Sequence, residues 1–370
     1  MLSSIRGRFA SWAVRLERSA DARLCSFLRR RPGWEPTVVP YLGHGTTERA
    51  HLRARVLLSR TVDARRRKPR AALIAGLGQF LSVDVPGEQV TIGVAGRRVR
   101  AVTSPEGYVE ADVELPGLAP GWHPVTFGLT GDAAYSNDGR LLVVDPAASL
   151  GVVSDIDDTV IHTGLTRLVD ALRTTLLIPE HARTEVAGAA ELYRALVAGT
   201  AGRTPIFYVS TGAWNLFPVV ERFLSRKGFP EGPLLMTDWG PTGSWLFRED
   251  SVALKTRAIT ALLQEHSHLS WLLFGDSGQD DAEAYAAVAR AFPDRIRAIY
   301  IRDVPPESPM RADRVRRIAD EIKARGVPML LVSDSAQAAE HARRLGLIGD
   351  RDLVQVSGAV ERHRRAAFSR

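Results

Sequence analysis

From residue 148 to residue 334 the chain alternates between short apolar runs and stretches with helical spacing. The runs are LGVVSD, TPIFYVST, GPLLMTD, SWLLFGDS, IRAIYIRD and VPMLLVSD, and helical spacing recurs over 185–198, 214–228, 252–266, 280–291 and 310–325. A run that stays apolar without alternating is a strand buried on both faces, and strands joined through helices must pair in parallel. This rhythm predicts an α/β fold with a doubly wound parallel sheet. In such a sheet the functional groups collect beyond the carboxyl ends of the strands. Each run closes there on a polar residue: Asp155, Ser210 and Thr211, Asp238, Asp276, Asp303, and Ser333 or Asp334.

The stretch from 36 to 145 follows a different rule. HLRARVLLSRT, QVTIGVAGRRVRAVTS, GYVEADVELPG, GWHPVTFGLTG and GRLLVVDP are rich in Val and Thr, several of them alternate, and Gly, Pro, Asn and Asp divide them. Successive short strands of this kind predict a small antiparallel β-sandwich. Further upstream, Leu2, Ile5, Phe9, Trp12, Leu16, Ala20, Leu24 and Phe27 fall three or four apart and trace one helical face. Such a helix either packs on its own protein or lies on an anionic membrane, with Phe9 and Trp12 at the interface. The domain organisation expected is 1–35 basic amphipathic helix, 36–147 β-sandwich, and 148–370 α/β domain.

Charge sharpens this division. The net charge of the 370 residues is +7, but residues 1–70 hold 17 Arg and Lys against 5 Asp and Glu, so the remainder is acidic by five charges. The insert DARRRKPRAALIAG, 63–76, reads as a solvated basic loop leading into a short helix, with phosphate contact as the other reading. A single cysteine, Cys25, excludes an internal disulfide and a cysteine metal cluster. No apolar stretch reaches the roughly 20 residues of a membrane span, and Arg6, Arg8 and Arg15 interrupt any signal-peptide core. The expected location is the cytoplasm, with peripheral contact at the inner face of the membrane through residues 1–35.

The first strand ends in GVVSDIDDTVIHTG, which sets Asp155, Asp157 and Asp158 within four positions. Like charges gathered at the end of a buried strand are tolerable only beside a cation. Asp155, Asp157 and Asp276 offer hard oxygen ligands, with Asp280 or Asp281 as outer support, a donor set suited to Mg²⁺. Asp158 reads as a capping residue, and His162 as a surface or packing residue.

These residues also carry a resemblance. DIDDT fits the D-x-D-x-T signature of the haloacid dehalogenase-like phosphatases, and Ser210 in IFYVST, Lys255 in SVALKTRAIT and GDSGQDD at 275–281 follow in that superfamily's order. Within it, SDIDDTV, YVSTGAWNLFP, GDSGQDDAEAY and IRAIYIRDV resemble the catalytic domain of the actin-patch-associated phosphatidate phosphatases and their bacterial relatives. The likeness covers about 150–350. Gly212 and Ala213 stand where that family usually has Ser-Pro, and Ala282 where proline is common.

The resemblance implies a Rossmann-like fold and a Mg²⁺-dependent phosphatase. Asp155 would be the nucleophile, forming an aspartyl-phosphate, and Asp157 the acid and base. Asp155, the Asp157 carbonyl and Asp276 would hold Mg²⁺, with Thr159, Asp280 and Asp281 as possible support. Ser210, Thr211 and Lys255 would bind the phosphoryl group, and Lys255 would keep Asp155 ionised. The intervals Asp158–Ser210 and Ser210–Lys255 leave no room for a large cap, so the site would be open to a bulky substrate. The expected partner is an anionic lipid, phosphatidate, with no sequence-specific nucleic acid binding. A phosphoprotein, a nucleic acid end or a soluble phosphoester would suit the same chemistry. A membrane or cytoskeletal adaptor with an auxiliary phosphatase core is the alternative from another class.

Overall fold

The computed structural model describes residues 24–60, 83–130, 136–156, 159–162, 184–199, 203–237, 251–304 and 309–368. Asp157, Asp158, the basic insert at 63–76 and most of the N-terminal helical segment lie outside the described residues. The described residues up to Val143, joined by Ala213–Asn215, form one compact unit, and the rest from Val144 onward form a second.

The first unit is built on β1 (Trp34–Pro40), β2 (Gly43–Gly45), β3 (Arg49–Arg60), β4 (Val83–Asp84), β5 (Gln89–Val94), β6 (Arg97–Val102), β7 (Tyr108–Glu114), β8 (Gly121–Leu129) and β9 (Ser136–Val143). The alternation in HLRARVLLSRT does what a period of two requires. Ala50, Leu52, Ala54, Val56 and Leu58 of β3 turn inward at 3% exposure or less, while the residues between them stay partly exposed. They join Val90, Ile92, Val109, Val125, Phe127 and Leu141 in one core. The strands expected as two layers are hydrogen-bonded as a single nine-stranded sheet, and β6 approaches β7 as the sheet curls around that core. The physical reason is β3. At 12 residues it is long enough to pair with β1 and β2 along one side and with β7 and β4 along the other. Pairing is antiparallel except for β2 with β9. The run QVTIGVAGRRVRAVTS is a hairpin, β5 to β6, turning at Ala95 and Gly96, both with positive φ. That is the two-residue turn whose twist matches the strands, and it seats alanine in a left-handed conformation.

Residues 24–29 are helical. Cys25 is buried and Leu28 packs beside it on the β-unit core, whereas Leu24 and Phe27, members of the predicted apolar face, are 45% and 54% exposed. Over these described residues the sheet takes the side that carries Cys25 and Leu28.

The second unit contains β10 (Leu150–Asp155), the two-residue pair β11 (Ile161–His162) and β12 (Thr184–Glu185), β13 (Ile206–Ala213), β14 (Leu234–Thr237), β15 (Ser270–Asp276), β16 (Ile296–Arg302) and β17 (Met329–Val332). Six of these form a sheet in the order β14-β13-β10-β15-β16-β17, with parallel register recorded from β13 through to β17. The helices are α1 (Ala189–Gly199), α2 (Phe217–Arg226), α3 (Ser251–Glu265), α4 (Asp281–Ala291), α5 (Pro309–Ala324), α6 (Ser335–Arg344) and α7 (Asp350–Phe368). The sequence rhythm anticipated α1 to α5, and α6 and α7 extend it.

Both faces of the parallel sheet are covered. Val153, Phe207, Leu273, Ile299 and Ile301 pack with Ile259 and Leu262 of α3, Tyr285 of α4 and Val315 and Ile322 of α5. The next residue along each strand points the other way. Ser154 meets Tyr193 of α1 at 2.7 Å, Tyr300 meets His341 of α6 at 2.9 Å, and α7 packs on α1 and α6. From β10 the chain runs outward to β13 and β14, then returns to add β15 on the opposite side of β10. The strand order reverses there, which opens a crevice at the carboxyl ends of β10 and its neighbours.

Candidate functional site

Asp155 is the last residue of β10 and Asp276 the last of β15, the strand beside it. On the other side, Val209 of β13 is the register partner of Asp155, which brings Ser210 to the same edge. These three positions therefore follow from parallel register alone. Asp155, Ser210 and Asp276 are all fully buried.

Two helices complete the cluster. Lys255, on the first turns of α3, is 2% exposed, and its Nζ donates to Asp155 Oδ1 at 2.6 Å and to Asp281 Oδ1. Asp281, the first residue of α4, is buried and uses its other oxygen, Oδ2, to accept the Asp276 amide at 3.0 Å. Asp276 Oδ1 in turn accepts the amides of Gly278 at 2.6 Å and Gln279 at 3.0 Å, so the loop after β15 wraps around its own carboxylate. Carboxylate oxygens of Asp155, Asp276 and Asp281 lie within 4.8 Å of one another.

The electrostatics follow from this arrangement. Burial by itself favours a neutral amine at Lys255, but the charges of Asp155 and Asp281 and their hydrogen bonds outweigh it and raise its pKa well above the ordinary lysine value. Tyr193 and Tyr285 back the cluster, the latter donating to the Phe274 carbonyl at 2.8 Å, and burial pushes both phenols up, so they stay neutral. Three buried carboxylates are set against a single ammonium, so acidic groups outnumber the cation among the described residues of the site. That imbalance, carried by hard oxygen donors, fits a hard metal cation.

The structure separates two residues that the sequence left as equals. Asp281 points into the cluster. Asp280, its neighbour and the N-cap of α4, has a 45% exposed side chain, accepts from Ser251 Oγ at the start of α3 and lies 3.8 Å from the Arg311 guanidinium. Of the remaining expected site residues, Thr159 is buried, Thr211 is half-buried, and the Ser210 hydroxyl oxygen accepts the Gly212 amide at 2.9 Å. Sequence reasoning missed Arg311 of α5, whose Nε donates to the Ser277 carbonyl at 3.0 Å and whose Nη2 donates to the Gln279 carbonyl. Its only local sign was a helical position after a strand end.

Gly275 shows how tightly the cluster is closed. A Cβ there would sit 2.7 Å from Cβ and Oδ2 of Asp281 and 2.7 Å from the Tyr285 ring. Gly275→Ala is therefore expected to force Asp281 away from Lys255 and to destabilise the second unit by about 1–3 kcal/mol. Urea denaturation reads this directly, and an unchanged midpoint would show that α4 can shift without cost.

Residues 150–303 match the family model for the catalytic domain of phosphatidate phosphatase APP1. Phosphatidate phosphatase APP1 of Saccharomyces cerevisiae is 30% identical over 153 residues, 41% of this chain and 26% of that protein. An uncharacterized protein of Schizosaccharomyces pombe is 29% identical over 160 residues, 42% of this chain and 25% of its own length. The chain thus spans about a quarter of the length of the curated relatives it matches. A carbohydrate acetylesterase structure from Xanthomonas citri aligns over 77% of this chain and 74% of its own at 10% identity, with a TM-score of 0.26, too low to inform fold or function. The matched segment, which contains Asp155, Ser210, Lys255, Asp276 and Asp281, is similar to the catalytic domain of phosphatidate phosphatases.

Proposed function

We propose that the chain is a Mg²⁺-dependent phosphatidate phosphatase, with residues 148–370 as a haloacid dehalogenase-like, doubly wound catalytic domain that lacks a large cap. The observation that carries this reading is the Lys255 bridge between Asp155 and Asp281, set beside Asp276 within the segment similar to phosphatidate phosphatases.

In this reading an Asp155 carboxylate oxygen attacks phosphorus in line. The new O–P bond forms as the bond to the diacylglycerol oxygen breaks, and Asp157 delivers a proton to that oxygen. Asp157 then takes a proton from water, whose oxygen attacks the aspartyl-phosphate, releasing phosphate and restoring Asp155. Lys255 stays cationic throughout, because its raised pKa keeps it protonated, and it holds Asp155 as the anion that attacks. Ser210, with its oxygen fixed by the Gly212 amide, and Thr211 would donate to phosphoryl oxygens. Asp155 and Asp276 would hold Mg²⁺, which when bound offsets the charge shared by carboxylate and phosphate. Both Asp281 oxygens are engaged by Lys255 and the Asp276 amide, which suits support better than direct ligation.

The N-terminal segment fits a lipid partner. Leu24 and Phe27 are exposed beside Arg30 and Arg31, a pairing of apolar and cationic groups that suits an anionic membrane surface.

Phosphate release from phosphatidate in mixed micelles, compared with p-nitrophenyl phosphate and run with Mg²⁺ or with chelator, tests the reading. Chelator-sensitive turnover favouring the lipid by at least tenfold is expected. Turnover of the soluble ester alone would remove the lipid and keep the chemistry, and turnover of neither would bring the adaptor reading forward.

A further inference from the structure

We propose that Arg311 is a positioning residue for the metal site, a role that rests on the Mg²⁺ reading above and lies beyond the matched segment 150–303. Asp276 can serve as a ligand only if its carboxylate is held at one rotation. That rotation is set by the amides of Gly278 and Gln279, which both donate to Oδ1. The loop carrying those amides has no regular structure of its own between β15 and α4.

Arg311 supplies what the loop lacks. Its guanidinium is planar, with donors fixed in a fork, and that fork reaches the carbonyls of Ser277 and Gln279 on either side of Gly278. The same guanidinium lies 3.8 Å from Asp280, whose carboxylate also accepts from Ser251 at the start of the Lys255 helix. One side chain thereby fixes the peptide that orients Asp276 and ties it to the helix that carries Lys255. The positive charge also sits beside the loop bearing Asp276, Asp280 and Asp281, where it offsets their repulsion. A lysine could hold one of the two carbonyls but could not span both with fixed geometry.

The test measures Mg²⁺ binding to the full chain by calorimetry, with Mg²⁺-dependent shifts in melting temperature as a second readout, for wild type, Arg311→Ala, Arg311→Lys and Arg290→Ala. Arg290 makes a two-pronged ion pair with Glu321 at 2.9 and 2.7 Å, and so links α4 to α5 without touching the loop. Partners that orient metal ligands typically contribute about 10–100-fold in affinity, so Arg311→Ala is expected to weaken Mg²⁺ binding by at least about tenfold. Arg311→Lys should fall in between, and Arg290→Ala should bind as wild type does. Equal weakening in Arg290→Ala would reduce Arg311 to a helix-docking role, and wild-type affinity in Arg311→Ala would overturn the proposal. If the wild type itself bound no Mg²⁺, the metal reading would fail first and the role of Arg311 with it.

Discussion

Asp155→Asn is expected to remove phosphate release while leaving the fold intact. The amide keeps the shape of the carboxylate at the end of β10 but is a poor nucleophile, and loss of a nucleophile from a coupled site costs on the order of 10⁴-fold or more in turnover. Stability should change little or improve, because Lys255 keeps Asp281 as a partner and the buried cluster loses one negative charge. Single-turnover assays on purified protein, alongside a urea melt, separate the two effects. Residual turnover above about one per cent would move the nucleophile elsewhere, since no orientation effect of an asparagine substitutes for a bond to phosphorus.

Lys255→Met should do more damage to the fold than any other single change at the site. Methionine fills the space but leaves the oxygens of Asp155 and Asp281 that Lys255 held without their cation. Removing one partner of a buried ion pair costs about 3–5 kcal/mol. The pH dependence has a definite sign. In the wild type the raised pKa of Lys255 makes its contribution complete below its unfolded value of about 10.4 and lost only as pH rises through the folded value, so it is constant from pH 5 to 8. In the variant, burial without a cation raises the carboxylate pKa values above the usual value of about 3.9. The folded state then binds more protons than the unfolded chain, and stability falls as pH rises. The deficit relative to wild type should therefore be smaller at pH 5.5 than at pH 8 in urea denaturation. A deficit below about 1 kcal/mol, or one that grows on acidification, would contradict the idea that Lys255 neutralises this cluster.

Much of the candidate site could be read from the sequence because its parts are local. A strand that is apolar throughout must be buried on both faces, a helix between two such strands makes them parallel, and the polar residue closing each strand then has one edge to occupy. Asp155, Ser210 and Asp276 reach that edge by register, and Lys255 by its place on the first turns of a crossover helix. The same logic identified the alternating strands of the first unit, whose inward residues follow a period of two.

Other features depended on what each element meets in space. Asp280 and Asp281 are adjacent acids at one helix start, and a rotation of about 100° between successive helical residues sends one toward Lys255 and the other toward Ser251 and Arg311. Cys25 and Leu28 were chosen over Leu24 and Phe27 by the sheet beneath them, because an amphipathic stripe names a face but not its partner. The β-strands join into one hydrogen-bonded sheet because β3 pairs along both of its sides, which no pattern within a single strand records. Arg311 grips carbonyls more than thirty residues earlier in the chain. Hydrophobic period and strand-end chemistry act over a few residues and are written in the sequence, whereas the choice among equivalent side chains is made by long-range packing, where one rotation or one shared strand edge decides which groups meet.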